Sequence, residues 1–220
     1  MTDFYDHMMH VLSVKRDIQS WEELAGAAQG IRKSFYYAMH AAAMLPILSK
    51  GYVEVQEEKE KLLGMNAALF DLDRVFFGAK IFANRDQKKV RDHERKLLKA
   101  GRTDEEIDEE LEKIREAQKK EFGTNIIERM AEARDLGKVV VVFSIAARAV
   151  ATYTKHNASG SAGERTEFLK SLGDQAQALR EQGVTDKEVY KVIVEEDGLF
   201  YDAVNMRALI KVAYYGAPQP

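Results

Sequence analysis

Apolar residues recur at helical spacing along most of the chain, and the strongest pattern lies near its middle. Residues 138–156 form the most apolar run, with polar positions four apart at Ser144, Arg148, Thr152 and His156. That spacing is typical of a helix with one narrow polar stripe. A helix that is apolar nearly all round is predicted to be surrounded by other elements. Its four consecutive valines favour a strand, so residues 138–143 stay open between the two structures.

A second long helix is predicted over residues 53–83. Its apolar positions alternate spacings of three and four, at Leu62, Met65, Leu69, Leu72, Phe76, Ala79 and Ala83. Further apolar residues widen this face beyond the seam of a two-stranded coiled coil, which favours the core of a helical bundle.

Three capping boxes predict where further helices begin: Ser20 with Glu23, Thr103 with Glu106, and Thr185 with Glu188. The first opens an alanine-rich helix towards Ser49, which Pro46 is expected to kink or end. Other helices are predicted at about residues 3–16, 125–134, 164–182, 186–195 and 200–214, and a flexible loop at 157–163.

Composition shifts abruptly between Arg85 and Glu121, where 24 residues are charged. Residues 85–102 carry eight basic and three acidic side chains, and residues 104–112 carry seven acidic and no basic ones. Gly101 between them is a natural helix terminator. This pattern predicts a hairpin of two helices with opposite charge that offset each other across the arms. Its apolar stripe is thin, so the hairpin is expected to project from the bundle.

The predicted fold is therefore all-α: a bundle of about seven or eight helices with a charged helical hairpin appended. Residues 1–84 and 123–216 are assigned to one bundle, residues 85–122 to the hairpin, and residues 217–220 to a tail. Hydrophobic residues at 45% and only three prolines suit long helices around a sizeable core.

Composition excludes several classes of protein. The chain has no cysteine, so disulfides, thiolate metal sites and cysteine nucleophiles are excluded. Its net charge of −3 argues against a globally basic nucleic-acid binder. The first residues carry Asp3 and Asp6 and lack the pattern of a signal peptide, and no run is apolar enough to predict a membrane span. A cytoplasmic protein is expected.

Three histidines are candidates for a site, His7 and His10 near the start of the chain and His40 in the alanine-rich helix. An N-terminal helix would bring four polar side chains onto one face, Asp3, Asp6, His7 and His10, in the manner of a zinc or iron site. The paired Glu-x-x-His of di-iron bundles is missing, so we predict that this face binds no metal and that the protein needs no cofactor. His40 lies one turn after Tyr36, which favours a buried structural histidine over a catalytic base.

Arg148 is the charged residue whose burial is expected to cost most free energy, because it lies in the middle of an apolar helix. An unpaired buried guanidinium is very costly, so we expect an acidic or carbonyl partner, with Asp71, Asp73 and Asp202 as candidates. A structural ion pair is the simpler hypothesis. The functional alternative is an anion-binding pocket that Arg148 shares with Ser144, Thr152 and His156.

Residues 21–39 resemble the helix-turn-helix of DNA-binding proteins. They carry an opening Glu-Glu-Leu-Ala, a Gly-Ile turn at Gly30, and then polar and aromatic residues. The position before the turn glycine is Gln29, where the motif has an apolar residue. The resemblance implies a nucleic-acid-binding regulator that uses a degenerate motif together with the basic arm 85–102.

The leading hypothesis is a non-enzymatic interaction or assembly protein, because no catalytic motif appears and the charged helices offer partner surfaces. The expected partner is another protein or a second copy, and the predicted contact residues are Lys96, Leu97, Leu98, Ile107, Leu111 and Ile114. Nucleic-acid binding is the first alternative. A helical metal- or small-molecule-binding protein is the second.

Overall fold

The computed structural model describes residues 18–48, 54–123, 126–156 and 162–192 of the chain. Side chains are described for residues 18–34, 37, 69–123, 126–143, 170 and 173–192. This part of the protein is 89% helical and contains no strand, which confirms the all-α class.

Six helices lie within the described ranges, with these bounds: α1 Trp21–Leu48, α2 Glu54–Lys99, α3 Asp104–Phe122, α4 Ile126–His156, α5 Ala162–Glu181 and α6 Asp186–Tyr190. The predicted count of seven or eight is not confirmed. The helices expected at 3–16 and 200–214 lie outside the described residues, as does Asn125, the expected first residue of a helix.

The chain divides into two compact units, Met1–Arg134 and Asp135–Pro220. The first unit contains α1, α2, α3 and the start of α4, and the second contains the rest of α4 with α5 and α6. The division of the chain at residues 84 and 122 stays a prediction.

All three predicted capping boxes mark helix starts. Thr103 and Thr185 each accept a hydrogen bond from the backbone N–H three residues later, and the carboxylate of the glutamate there accepts one from the backbone N–H of the cap residue. At α1 the Glu23 N–H donates to Ser20 Oγ at 3.2 Å. The Glu23 carboxylate accepts a hydrogen bond from the backbone N–H of Gln19, the residue before Ser20. Each box satisfies backbone donors that a helix start leaves open.

Two helices are longer than predicted. The expected break after residue 84 is absent, because α2 runs without interruption into the basic arm for 46 residues. Residues 79–99 contain no glycine or proline, so only the polarity of the exposed face changes there. Likewise α4 passes through Leu136 and Gly137 as one helix, and residues 138–143 are helical rather than a strand.

The ends of two other predicted segments also differ. Helix α1 ends at Leu48, two residues beyond Pro46, where a kink or an end was expected. Helix α5 begins at Ala162, so the last two residues of the predicted loop 157–163 are helical.

Small residues set the packing of the first unit. Helices α1 and α2 pack against each other, and Leu24, Ala25 and Ala28 of α1 are fully buried. Gly78 of α2 lies against the backbone of Ala133 in α4, so closely that a Cβ atom at this glycine would overlap the Ala133 carbonyl oxygen. The alanines and this glycine let the helix axes approach one another.

The second unit has an apolar segment of its own along α4, as the sequence predicts. Val140 and Phe143 are fully buried, and Val139 and Val141 nearly so. Side chains beyond Phe143 on this helix are outside the described set. The prediction that the segment is helical is therefore confirmed, and its burial is confirmed as far as residue 143.

Candidate functional site

The charged hairpin is formed by the C-terminal part of α2 and by α3. Residues 100–103 join the two helices, and the turn is closed by backbone bonds from Gly101 N–H to Leu98 O at 3.1 Å and from Arg102 N–H to Leu97 O at 3.3 Å. Gly101 has φ 70°, a conformation that suits glycine. The helix terminator predicted at this position is confirmed, and so is the helix–turn–helix hairpin that it divides.

The six predicted contact residues separate into buried and exposed groups. Ile107 and Leu111 are buried within the chain, in a helix whose main neighbour is α2. Leu97 and Ile114 are half-buried beside them. Leu98 is 55% exposed, and Lys96 is also exposed. Lys96 and Leu98 are therefore accessible from solvent, whereas Ile107 and Leu111 stabilise the hairpin itself.

An aromatic cluster joins the base of the hairpin to the rest of the first unit. The Trp21 ring at the start of α1 stacks on Phe82 of α2, with ring centroids 4.3 Å apart. The edge of Phe122, the last residue of α3, meets the same ring at 5.0 Å. Three helices thus converge on Trp21, and such ring pairs add to the free energy gained by burial. The base of the hairpin is fixed although its tip extends away from the cluster.

Arg129 of α4 holds the C-terminus of α3. Its guanidinium donates to the Phe122 carbonyl through Nε and to the Glu121 carbonyl through Nη2 at 2.7 Å. A third nitrogen, Nη1, binds the Glu132 carboxylate at 2.8 Å. These carbonyls have no acceptor role within the helix, and a cation there also offsets the negative end of the helix dipole.

Replacing Arg129 with alanine is expected to lower the free energy of unfolding by about 1–3 kcal/mol, since charge-assisted bonds to terminal carbonyls are lost. The matched control is Arg115→Ala on α3, where the ion-pair partner of an exposed arginine among the described residues is Glu112, three residues away. That control should cost less than about 1 kcal/mol. Urea unfolding followed by circular dichroism measures both. Equal effects would show that Arg129 does not hold the helix end.

A polar contact also joins the two arms near the base. Gln118 Nε2 of α3 donates to the backbone carbonyl of Asp86 in α2 at 3.1 Å, which places these two residues level with each other. Burial raises the pKa of the Asp86 carboxyl, and the ammonium of Lys89 at 3.5 Å opposes that shift. The antiparallel register follows: Arg91 lies level with Lys113, and Leu98 with Glu106.

A groove of about 510 Å³ opens at the base of the hairpin. Its apolar lining comes from Trp21, Ala83, Val90 and Phe122. Charged and polar side chains surround these: Ser20, Glu22, Asp86, Gln87, Arg91, Glu94, Arg115, Gln118 and Lys119. The α2 residues recur at spacings of three and four, so one face of that helix lines the groove. Leu98, four residues beyond Glu94, lies on the same face towards the tip.

No ion pair between described side chains joins the two arms, so the expected offset of charge across the hairpin stays a prediction. Among the described residues, its ion pairs join side chains three or four positions apart, such as Lys113 with Glu110 at 2.7 Å and Arg102 with Glu106 at 3.1 Å. The Lys113 hydrogen bond lowers the pKa of Glu110. Lys96 and Lys99 form no ion pair with a described residue. Much of the arm's charge faces solvent.

Sequence reasoning missed the buried charge of the first unit, Arg32 of α1. This side chain is 4% exposed, donates to Asp73 of α2, and lies 4.5 Å from the centre of the Phe76 ring. Asp71 binds Arg74 at 3.0 Å. Two of the three acids predicted to pair with Arg148 thus bind other arginines. The sequence around Arg32 does not indicate that it is buried, because its partner Asp73 is 41 residues away along the chain.

The predicted anion site lies outside the described side chains. Ser144, Arg148, Thr152 and His156 are all on the helical backbone of α4, and no side chain in this stripe is described. The structure therefore neither brings them together nor separates them. Asp202, the third candidate partner, is also outside the described residues.

The helix-turn-helix predicted at residues 21–39 is wrong. One uninterrupted helix covers the segment, with no turn at Gly26 or Gly30. Both glycines are exposed, and a Cβ atom at either would meet nothing within 4 Å. Glycine in an exposed helix costs only about 1 kcal/mol, less than packing against a neighbouring helix contributes. The motif-like spacing of these glycines therefore does not break α1.

The described residues hold no candidate metal site. That part of the chain contains no group of three or more histidine or acidic side chains able to hold a metal ion. The predicted face of Asp3, Asp6, His7 and His10 lies outside it, as does the side chain of His40. Within the same residues no helix is long and apolar enough to cross a membrane.

Comparison with known proteins adds no functional assignment. No protein-family model, curated protein or solved structure matches the chain significantly.

Proposed function

We propose that the protein is a non-enzymatic interaction or assembly protein that binds a protein partner through the α2–α3 hairpin. The observation that carries this proposal is the contrast between the two ends of the hairpin. Its base is fixed by Trp21, Phe82, Phe122 and Arg129, whereas its outer faces and its tip are exposed. A surface that is held in place and left uncovered is suited to docking another chain.

The chemistry of the exposed faces supports a protein partner. Leu98 places a large apolar side chain in solvent beside a row of charges. Burying a leucine side chain from water is worth about 1.5–3 kcal/mol, which offers an anchor for binding. Charges that form no ion pair with a described side chain, such as Lys96, Lys99 and Asp108, are available to select the partner and speed the encounter.

The test is a deletion of the tip that keeps the base intact. Because Arg91 and Lys113 lie level across the hairpin, residues 92–112 can be replaced by a short glycine linker. The variant should keep helical circular dichroism and cooperative unfolding, since Trp21, Phe82, Phe122 and Arg129 remain. It should lose association, measured by sedimentation of the purified chain and by cross-linking and co-purification from its native source. Gly30→Ala on α1 is the matched control, with the hairpin intact.

Two outcomes would contradict the proposal. A tip deletion that unfolds would show that the arm is part of the folded core. Association that survives the deletion unchanged would show that another surface binds the partner. A salt-dependent shift of duplex DNA by the wild-type chain, lost in the deletion, would instead support nucleic-acid binding by the basic arm.

A further inference from the structure

The exposed face of α3 carries its charges in an ordered stripe. Residues at alternating spacings of three and four run along this face from the tip to the base: Glu105, Asp108, Glu112, Arg115 and Lys119. The tip half is acidic and the base half is basic. Arg115 and Lys119 line the groove, so the stripe lies on the groove side of the hairpin. Phe122, three residues further on, belongs to the aromatic cluster.

Three of these five charges have no ion pair within the part of the chain that the structure describes. Glu112 and Arg115 form one exposed ion pair at 3.2 Å. Glu105, Asp108 and Lys119 form no ion pair with any described residue. An acidic residue in the first turn of α3 also compensates the helix dipole, which gives Glu105 a local role. Asp108 lies beyond the first turn of α3, so compensation of the helix dipole does not explain its charge.

The stripe is complementary to itself when reversed. Glu105 lies seven residues before Glu112, and Lys119 lies seven residues after it. Asp108 lies four residues before Glu112, and Arg115 lies three residues after it. A two-fold axis at Glu112 would therefore place Glu105 of one copy on Lys119 of the other, and Asp108 on Arg115. Self-complementarity of this kind is what a symmetric dimer interface requires. The reach from Glu105 to Lys119 is about 21 Å at 1.5 Å per residue.

The same axis matches the apolar features of α2. By the register of the hairpin, Glu112 lies level with Asp92, so a two-fold axis there brings Leu98 of one copy level with Asp86 of the other. Asp86 and Gln87 line the groove beside Val90. The exposed leucine of each copy would thus meet the apolar groove of the other, on the face that carries the stripe.

We propose that two copies of this chain associate through their hairpins, antiparallel and face to face, with the acidic tip half of each α3 stripe on the basic base half of the other. The arrangement has two layers of two helices each, in which α2 of one copy lies on α2 of the other and α3 lies on α3. This inference rests on the proposed function, because it takes the hairpin as the binding surface and names a second copy as the partner.

The test is sedimentation of charge-reversed variants, alone and mixed. The tip variant is E105K/D108K and the base variant is R115E/K119E. Each alone places like charges in contact and is expected to raise the dimer dissociation constant about tenfold or more. An equimolar mixture should restore association near the wild-type level, because one chain then carries only basic and the other only acidic ends. The wild-type dimer should weaken as salt is raised.

A second pair of variants tests the apolar contact. Leu98→Ser is expected to weaken the dimer, whereas Ile127→Ser should not. Ile127 is 62% exposed but lies on α4, outside the hairpin. Circular dichroism of every variant confirms that the fold is retained, so that a loss of association is not a loss of folding.

The outcomes separate this inference from the proposed function. A wild-type chain that stays monomeric at about 100 µM, or a mixture that does not recover, overturns the dimer. If tip deletion still abolishes binding to another protein, the proposed function stands without it. A dimer that persists after deletion of residues 92–112 overturns both.

Discussion

Replacing Gly78 with alanine is expected to lower the free energy of unfolding of the first unit by about 3 kcal/mol or more, or to prevent folding. An added Cβ would overlap the Ala133 carbonyl oxygen and lie 2.8 Å from the Ala133 Cα atom. Backbone atoms cannot rotate aside as a flexible side chain can. Helices α2 and α4 would have to separate, which would expose buried neighbours such as Val75 and Met130.

The controls are the same substitution at Gly26 and Gly30, two exposed glycines of α1. Neither would place a Cβ within 4 Å of another group, so alanine should stabilise the helix there by about 0.5–1 kcal/mol. Urea unfolding monitored by circular dichroism measures all three variants. The opposite signs are the diagnostic result. Gly78→Ala that stabilises the protein as the controls do would show that the helices are further apart.

Replacing Arg32 with methionine is expected to cost about 3–5 kcal/mol. The substitution leaves the carboxylate of Asp73, whose side chain is 15% exposed, without the guanidinium that binds it. It also removes a cation from the faces of Phe76 and Phe77. Methionine preserves much of the volume, so the loss should reflect the lost ion pair rather than a cavity.

The control for this prediction is the neighbouring pair on α2, Arg74 with Asp71. Both side chains are about 30% exposed and three residues apart, so Arg74→Met should cost less than about 1 kcal/mol. Thermal and urea unfolding of the two variants can be compared directly. Similar losses would contradict the conclusion that burial makes the Arg32 pair important.

Both predictions concern contacts between helices, and both bear on the hairpin. Helix α2 is continuous from Glu54 to Lys99, so the segment that holds Asp73 and Gly78 also forms the basic arm. Weakening the packing of α2 would therefore also weaken the contacts that hold the base of the hairpin. The tip deletion, in contrast, removes residues that contact mainly each other, and it should leave the unfolding of the first unit nearly unchanged.

Local features of this protein were predictable from its sequence. The capping boxes at Ser20, Thr103 and Thr185 and the turn at Gly101 each depend on atoms within five residues along the chain. Such interactions form whatever surrounds them, so the pattern and the structure agree. The four-residue period along α4 likewise outweighs the strand preference of its valines. Spacing reports which face can be buried, and single-residue propensities are smaller effects.

Continuity and burial were decided only by the tertiary structure. The change of composition at residue 85 alters what the surface of α2 contacts, but it does not alter the helical backbone. The boundary in composition is therefore not an interruption of the helix. Gly26 and Gly30 lie within a helix because packing of α1 on α2 outweighs their propensity. Arg32 is buried because Asp73, 41 residues later, folds against it, and Gly78 is required because Ala133 arrives beside it. These contacts join distant parts of the chain, and no local pattern encodes such distances.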